Sequence, residues 1–243
     1  MEREYIRIKR PPSFPFDTRK LRDLDDEFWK KWVFYYLLQF YQGYDSAELK
    51  TKIQVEKNKR YPRTEREIAK FIRLKLNNNR NFGLHFSVKG EVTNDEEVEG
   101  NYDINIHSTN WKSKDFYFEC KNLDGNSDLI AKYVCYNTYK KNSANENIFD
   151  GGVVRYFNGK YAQTSNFGGM IGFILAGDPL KTKSNLFTKL GEKLSTSPEG
   201  DLISISDNSI EGNSFTFDSL HTRKNTHFTI HHILFDFSKH LTS

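Results

Sequence analysis

The run GGMIGFILAGD, residues 168–178, limits the fold more than any other stretch of the chain. It is continuously apolar over a strand's length and is bounded by turn residues, the pattern of a strand in the interior of a sheet. The sequence supplies neighbours for it. LHFSVKGEV, YDINIHS and DFYFECKNL precede it, and SFTFDSL and FTIHHILFDF follow it, each with strand character. The glycines of the run suit close backbone packing. No P-loop Lys-Ser/Thr pair follows them, so they do not mark a phosphate-binding loop.

Helical periodicity appears upstream. From Asp25 to Gln42, Phe28, Trp29, Trp32, Val33, Tyr36, Leu37 and Phe40 recur on one helix face, and Gly43 follows as a stop. RPPSFPF, before it, reads as an extended lead-in. A basic linker, KTKIQVEKNKRYPR, then leads to TERE, where Thr64 and Glu67 have the spacing of a capping box. Ile68, Phe71, Ile72 and Leu76 give the helix it opens an apolar face. A further helix is expected over about 128–141, with Leu129, Ile130, Tyr133 and Val134 toward the core. VVRYFNGKYA has the look of a hairpin turning at Asn158-Gly159, and KTKSNLFTKLGEKLSTSPEGD reads as a polar stretch. Together these elements predict an α/β fold, a mixed central sheet flanked by helices, in a single domain.

A hydrophobic share of 37% is low, but Phe 20 and Tyr 13 supply large rings for a core. Charges of both signs are interspersed, and a net charge of +4 is compatible with nucleic-acid binding without requiring it. Cys120 and Cys135 alone make neither a disulfide framework nor a metal-ligand spacing, which favours a reducing compartment. MEREYIRIKR has no apolar signal core, and no run approaches the roughly 20 apolar residues of a membrane span. A soluble cytoplasmic protein with no membrane association is the expectation.

Alternation sorts the side chains of YDINIHS and DFYFECKNL onto two faces. Tyr102, Ile104 and Ile106 join Phe116, Phe118 and Cys120 on the core side. Asp103, Asn105 and His107 join Tyr117, Glu119 and Lys121 on the other. A hairpin centred near Trp111 sets Asp103 across from Glu119. Like charges in directly opposed positions repel. Either one carboxyl holds a proton, or a divalent cation lies between them. Lys121, on the same face, is then placed to meet an anionic substrate or an attacking water.

This arrangement resembles the PD-(D/E)XK nuclease superfamily, the restriction-endonuclease-like fold. The matching residues are Asp103 in NYDINI and Glu119, Cys120 and Lys121 in FECKN. Tyr102 stands where the family usually has Pro. The resemblance covers about residues 64–178, an α-β-β-β-α-β catalytic core, leaving 1–63 as an N-terminal helical extension and 179–243 as a β-rich C-terminal one. It implies that Asp103 and Glu119 bind Mg²⁺, with Mn²⁺ able to substitute, that the Cys120 backbone carbonyl adds a ligand, and that Lys121 positions the water or stabilises the transition state. A Glu on the first core helix often contributes in this family; Glu67 is the candidate, with Glu65 and Glu91 weaker ones. The implied activity is metal-dependent hydrolysis of DNA, as an endonuclease of restriction or anti-phage defence, with a defence partner protein or a second copy of the chain as further partners. The alternatives are a catalytically silent scaffold of the same fold that binds nucleic acid or a partner protein, and a nuclease that cuts RNA.

Further residues are candidates for contact with nucleic acid. Lys132, Tyr136 and Lys140 recur at i, i+4 and i+8 of the expected helix, Arg155 and Lys160 flank the expected hairpin turn, and Gln163 follows it. The C-terminal His221, Arg223, His227, His231 and His232 read better as structural or surface groups than as a second metal site, because adjacent His231 and His232 point to opposite faces of a strand.

Overall fold

A computed structural model of the chain describes residues 18–90, 92–93, 101–113, 115–141, 147–158, 160–194, 200–207 and 213–241. A 3₁₀ helix at Thr18–Asp23 comes first, followed by four α-helices: α1 (Asp26–Gly43), α2 (Ser46–Lys57), α3 (Thr64–Asn77) and the short α4 (Arg80–Gly83). Then follow β1 (Ser87–Lys89), β2 (Val92–Thr93), β3 (Asn101–Tyr102), β4 (Ile104–His107) and β5 (Asp115–Leu123). Next are α5 (Ser127–Val134), β6 (Tyr136–Lys141), β7 (Asn147–Asp150), a 3₁₀ helix at Gly152–Tyr156, and β8 (Phe167–Ile174). The chain ends with α6 (Pro179–Leu194), β9 (Asp201–Ser206), β10 (Phe217–Arg223), β11 (Thr226–Asp236) and α7 (Ser238–Leu241).

The fold is mixed α/β. Seven strands form one sheet in the order β1-β4-β5-β8-β11-β10-β9. β8 pairs in parallel with both β5 and β11, and the remaining pairs are antiparallel. The apolar run that predicted an interior strand is therefore the middle of the sheet, and every residue of β8 is buried. Each face of the sheet carries its own core. One is built from α1, α2, α3 and β5 residues such as Phe116, Phe118 and Cys120. The other holds α5, the 3₁₀ helix at Gly152–Tyr156 and α6, with Tyr133, Tyr156, Leu186 and Leu190. Among the described residues no helix is long and apolar enough to cross a membrane.

Local chemistry explains most element ends. Asp25 caps α1 by accepting from the Phe28 amide at 2.9 Å, and Asp45 caps α2 through the Glu48 amide at 3.0 Å. The capping box expected at Thr64 and Glu67 does not form. Thr64 is already inside the first turn of α3 and buried, Arg63 is the cap residue, and no side chain caps it. The buried Glu56 of α2 accepts the Arg63 amide at 2.7 Å instead, tying the two helices end to end. α2 itself lies where a linker was expected. Leu49, Ile53 and Glu56 are its buried stripe, sparse enough to be hidden among charges. α6 likewise occupies the stretch read as polar, burying Thr182, Leu186, Leu190 and Leu194 at a spacing of four.

Two further expectations are corrected. The helix expected to reach residue 141 ends at Val134, and Cys135 turns extended so that Tyr136–Lys141 pairs with β7. The hairpin expected at VVRYFNGKYA is a 3₁₀ helix, Gly152–Tyr156, entered through Gly151 and Gly152 with φ of 87° and 56°. Asn158 does not turn a hairpin but donates to the Phe149 carbonyl at 3.0 Å, and Gly159 lies outside the described residues. Gly152 has no room for a side chain: a Cβ there would lie 1.9 Å from the Tyr133 carbonyl oxygen.

Gly152→Ala is therefore expected to lose at least about 2 kcal/mol of unfolding free energy, combining a left-handed φ with a clash against backbone. Gly191→Ala, on α6 with nothing within 4 Å of the new methyl, is expected to gain roughly 0.5–1 kcal/mol. Urea titrations of the two variants beside the wild type measure both.

Candidate active site

The site is built on the β4–β5 pair. Ile104 faces Phe118 and Asn105 faces Tyr117, a register whose next step sets Asp103 across from Glu119. Asp103 is itself a bend between β3 and β4, and this breaks the alternation. Tyr102 consequently turns away from Ile104 and Ile106, against expectation, and joins the opposite core. Its ring stacks on Tyr117 with centroids 3.9 Å apart and meets Tyr161 at 4.4 Å. Cys120 sits in the first core, as alternation requires, and burial pushes its thiol far up.

Glu119 has no exposed surface. Its Oε1 lies 2.6 Å from Lys121 Nζ, and Arg155 Nη1 donates to both its oxygens at 3.0 and 3.1 Å. The Tyr161 hydroxyl lies 2.9 Å from Oε2 and 2.5 Å from the Asn101 carbonyl, and accepts from Arg155 Nη1 at 2.7 Å. Burial alone would raise the Glu119 carboxyl, but Lys121 and Arg155 outweigh it and hold the group ionised below the ordinary glutamate range. The same charges work in reverse on Lys121. Burial opposes its positive form, yet Glu119, Glu65 and Asp103 keep it charged.

Lys121 Nζ is surrounded by oxygen. Besides Glu119 it meets the Cys120 carbonyl at 2.8 Å and Glu65 Oε1 at 3.1 Å, while Glu65 Oε2 accepts the Asn122 amide at 3.1 Å. Asp103 Oδ2 accepts the Cys120 amide at 2.7 Å. Burial, and then the nearby Glu119 charge, raise the Asp103 carboxyl to about 7, despite Lys121 and that amide. Among the described residues no three His, Cys, Asp or Glu side chains form a metal-binding group; the oxygens of Glu65, Glu119 and Cys120 converge on the ammonium instead.

The helix carboxylate at the site is Glu65 rather than Glu67, which lies two residues on in a separate groove with Lys59 and Arg63. Glu65 shares a helix face with Ile68 and Ile72, spaced i, i+3 and i+7 on the buried side, and that face was the signal to follow. Glu91 lies outside the described residues.

A cleft of about 550 Å³ opens above Lys121, lined also by Glu65, Lys132, Asp150, Arg155 and Lys160. Lys132, Arg155 and Lys160 are thus brought together. Asp150 links two of them, 3.2 Å from Arg155 Nε and 2.6 Å from Lys160 Nζ. Tyr136 and Lys140 are on β6, so the expected helical stripe with Lys132 does not form. Gln163 is turned away, donating to the Tyr161 carbonyl at 3.1 Å and accepting from Lys224 at 3.0 Å. Tyr161 and Asp150 were missed. They reach the site only through the long-range fold, and nothing in their local sequence marks them.

The C-terminal histidines divide between the faces of β10 and β11. His231 pairs with Asp218 at 2.7 Å on one side. On the other, the Tyr133 hydroxyl, His232, Ser219 and His221 form a buried chain with links of 2.9, 2.8 and 2.7 Å, ending on the Gly200 carbonyl at 3.3 Å. Burial favours neutral rings, and since the terminal carbonyl can only accept, the direction then runs from Tyr133 to Gly200. Burial, the leading cause, lowers both of their pKa values, His221 to about 4. Arg223 donates to the Tyr156 and Ser165 carbonyls, and its guanidinium lies 3.9 Å from the Phe228 ring centroid. His227 is exposed on β11.

No protein-family model, no curated protein and no solved structure matches the chain.

The raised Asp103 carboxyl carries a pH signature. A folded-state value near 7, above the ordinary aspartate 3.8, means that folding favours the protonated form. Ionisation therefore costs stability progressively from about pH 4, and in full above about pH 7. In metal-free buffer, Asp103→Asn is expected to be more stable than wild type by about 4 kcal/mol at pH 8 and nearly equal to it at pH 4, read from urea titrations at both values.

Proposed function

We propose that the protein is a divalent-metal-dependent nuclease that hydrolyses DNA phosphodiester bonds, with a site of the PD-(D/E)XK kind. The observation that carries this reading is the oxygen cage around Lys121 Nζ, next to an Asp103 carboxyl that burial, and then the Glu119 charge, raise to about 7. Two carboxylates and a carbonyl are hard oxygen donors of the type Mg²⁺ and Mn²⁺ accept. Asp103, Glu119 and the Cys120 carbonyl would hold the ion, with Glu65 beside them. When bound, such an ion supplies Lewis acidity toward a phosphate oxygen and lowers the pKa of a water.

The remaining chemistry belongs to the chain. Asp103, whose carboxyl is kept protonated by burial and then by the Glu119 charge, would release that proton to solvent on becoming a ligand. Arg155 and Tyr161 keep Glu119 in one orientation, so the reacting groups need little rearrangement. The three N–H donors of the Lys121 ammonium are matched by Glu119, Glu65 and the Cys120 carbonyl; with those oxygens drawn to an ion, they would be free to orient a water or meet a non-bridging phosphate oxygen. Lys132 and Lys160, at the cleft wall, attract and seat the flanking phosphates.

One observation favours a second reading, a silent scaffold that binds nucleic acid without cutting it. Glu119 is already satisfied by Lys121, Arg155 and Tyr161, a cluster that needs no metal. Incubation with plasmid, linear duplex and single-stranded DNA separates the two. Cleavage is expected with Mg²⁺ or Mn²⁺, to stop with EDTA, and to fall at least about 100-fold in Lys121→Ala. Mn²⁺ is expected to raise the melting temperature of wild type and not of Asp103→Ala. No cleavage under any condition, with equal melting responses, would establish the scaffold; cutting of RNA in place of DNA would reassign the substrate.

A further inference from the structure

α3 also lines a second cleft. Its volume is about 500 Å³, and its walls come from α3, the end of α2, the segment that joins them, and Gly90 after β1. Lys59, Arg63, Arg66, Lys70 and Arg73 line it against Glu56 and Glu67, five basic groups to two acidic, an excess of three positive charges. Arg63, Arg66, Lys70 and Arg73 follow one another at spacings of three, four and three, so they form a stripe along one side of the helix. At 1.5 Å per residue the stripe is about 15 Å long, enough to follow several successive phosphates of one strand.

Two more observations single out this groove. Tyr61, at its rim, is 72% exposed, and the Arg60 guanidinium lies 5.3 Å from its ring centroid. An exposed ring flanked by cations is the arrangement that stacks a nucleobase. Arg73, at the inner end, donates through Nη1 to the Asp103 backbone carbonyl at 2.5 Å. Its guanidinium packs where a Gly90 Cβ would fall 2.1 Å away, so glycine at 90 leaves it that place. The basic stripe is thus anchored to the backbone of a candidate metal ligand.

We propose that this groove binds the phosphate backbone of the nucleic-acid strand that enters the candidate active site, with Tyr61 stacking on one of its bases. The destination of the strand rests on the nuclease reading of the neighbouring cleft; the groove's own charge and ring do not.

The test is fluorescence anisotropy with a fluorescein-labelled 20-nucleotide single strand and its duplex, in EDTA, from 50 to 200 mM salt. Arg66→Glu with Lys70→Glu is expected to weaken binding by about 30-fold at low salt and to flatten the salt dependence by about two in log–log slope. Lys181→Glu with Lys189→Glu, on α6, matches its net charge and is expected to change affinity less than about threefold. Tyr61→Ala is expected to weaken single-strand binding at least about fivefold. Equal losses in the two double variants would overturn the proposal, as would unchanged binding in the groove variant, or capture of the wild type by phosphatidylserine vesicles without oligonucleotide binding. If the groove variant loses binding but wild type never cleaves, the groove stands and the nuclease reading falls. If wild type cleaves and the groove variant binds and cleaves equally well, the groove falls alone.

Discussion

A carboxylate with no exposed surface lies in the heart of this sheet, and much of the surrounding structure answers to it. An uncompensated charge at Glu119 would cost several kcal/mol. Lys121 reaches it because residues two apart on a strand share a face. Arg155 reaches it because the 3₁₀ helix at Gly152–Tyr156 packs against α5, a contact close enough to require glycine at 152. Tyr161 reaches it across the Asn101 carbonyl, which in turn holds the bend at Asp103 next to the cluster. The ion pairs and the fold are thus one construction, and substitutions at Arg155 or Tyr161 would disturb folding as well as chemistry.

Two buried polar networks share the same side of the sheet and solve burial differently. The Glu119 cluster keeps its charges and balances them by opposition. The Tyr133–His232–Ser219–His221 chain holds no charge at all, and aligns its donors in one direction toward a backbone carbonyl. The first retains charge that a ligand can compete for. The second satisfies each polar atom within the core, which is why the C-terminal histidines take part in packing and not in the cleft.

What the sequence made legible follows from locality. Period-two alternation and a short connection sufficed for β5, for the Asp103–Glu119 register and for the face of Lys121, because those relations are set within twenty residues. The same rule failed one residue earlier, at Tyr102, since a bend resets alternation. α2 and α6 were hidden because a helix needs only three or four buried positions, and charges filled the rest. Asn158-Gly159 suggested a turn, but a hairpin also needs flanking strands, and Gly151-Gly152 had already sent the chain into a 3₁₀ helix. Glu65 could have been chosen over Glu67 from the face of Ile68 and Ile72. Tyr161 and Asp150 could not, because only tertiary packing delivers them.

The placement of β8 between two parallel partners shapes how the molecule is assembled. Neither β5 nor β11 can reach it through a tight turn, so each pairing closes a loop of tens of residues before any contact repays the lost chain entropy. Assembly of this centre is consequently slow compared with that of the β10–β11 hairpin. During synthesis, Asp103, Glu119, Lys121 and Arg155 all emerge before the strand that covers β5. Glu119 pairs with Met170 of β8, so the burial that shifts the Glu119 and Asp103 carboxyls requires β8 in place. The electrostatic character of the cleft is therefore a property of the closed sheet and not of the β4–β5 hairpin alone.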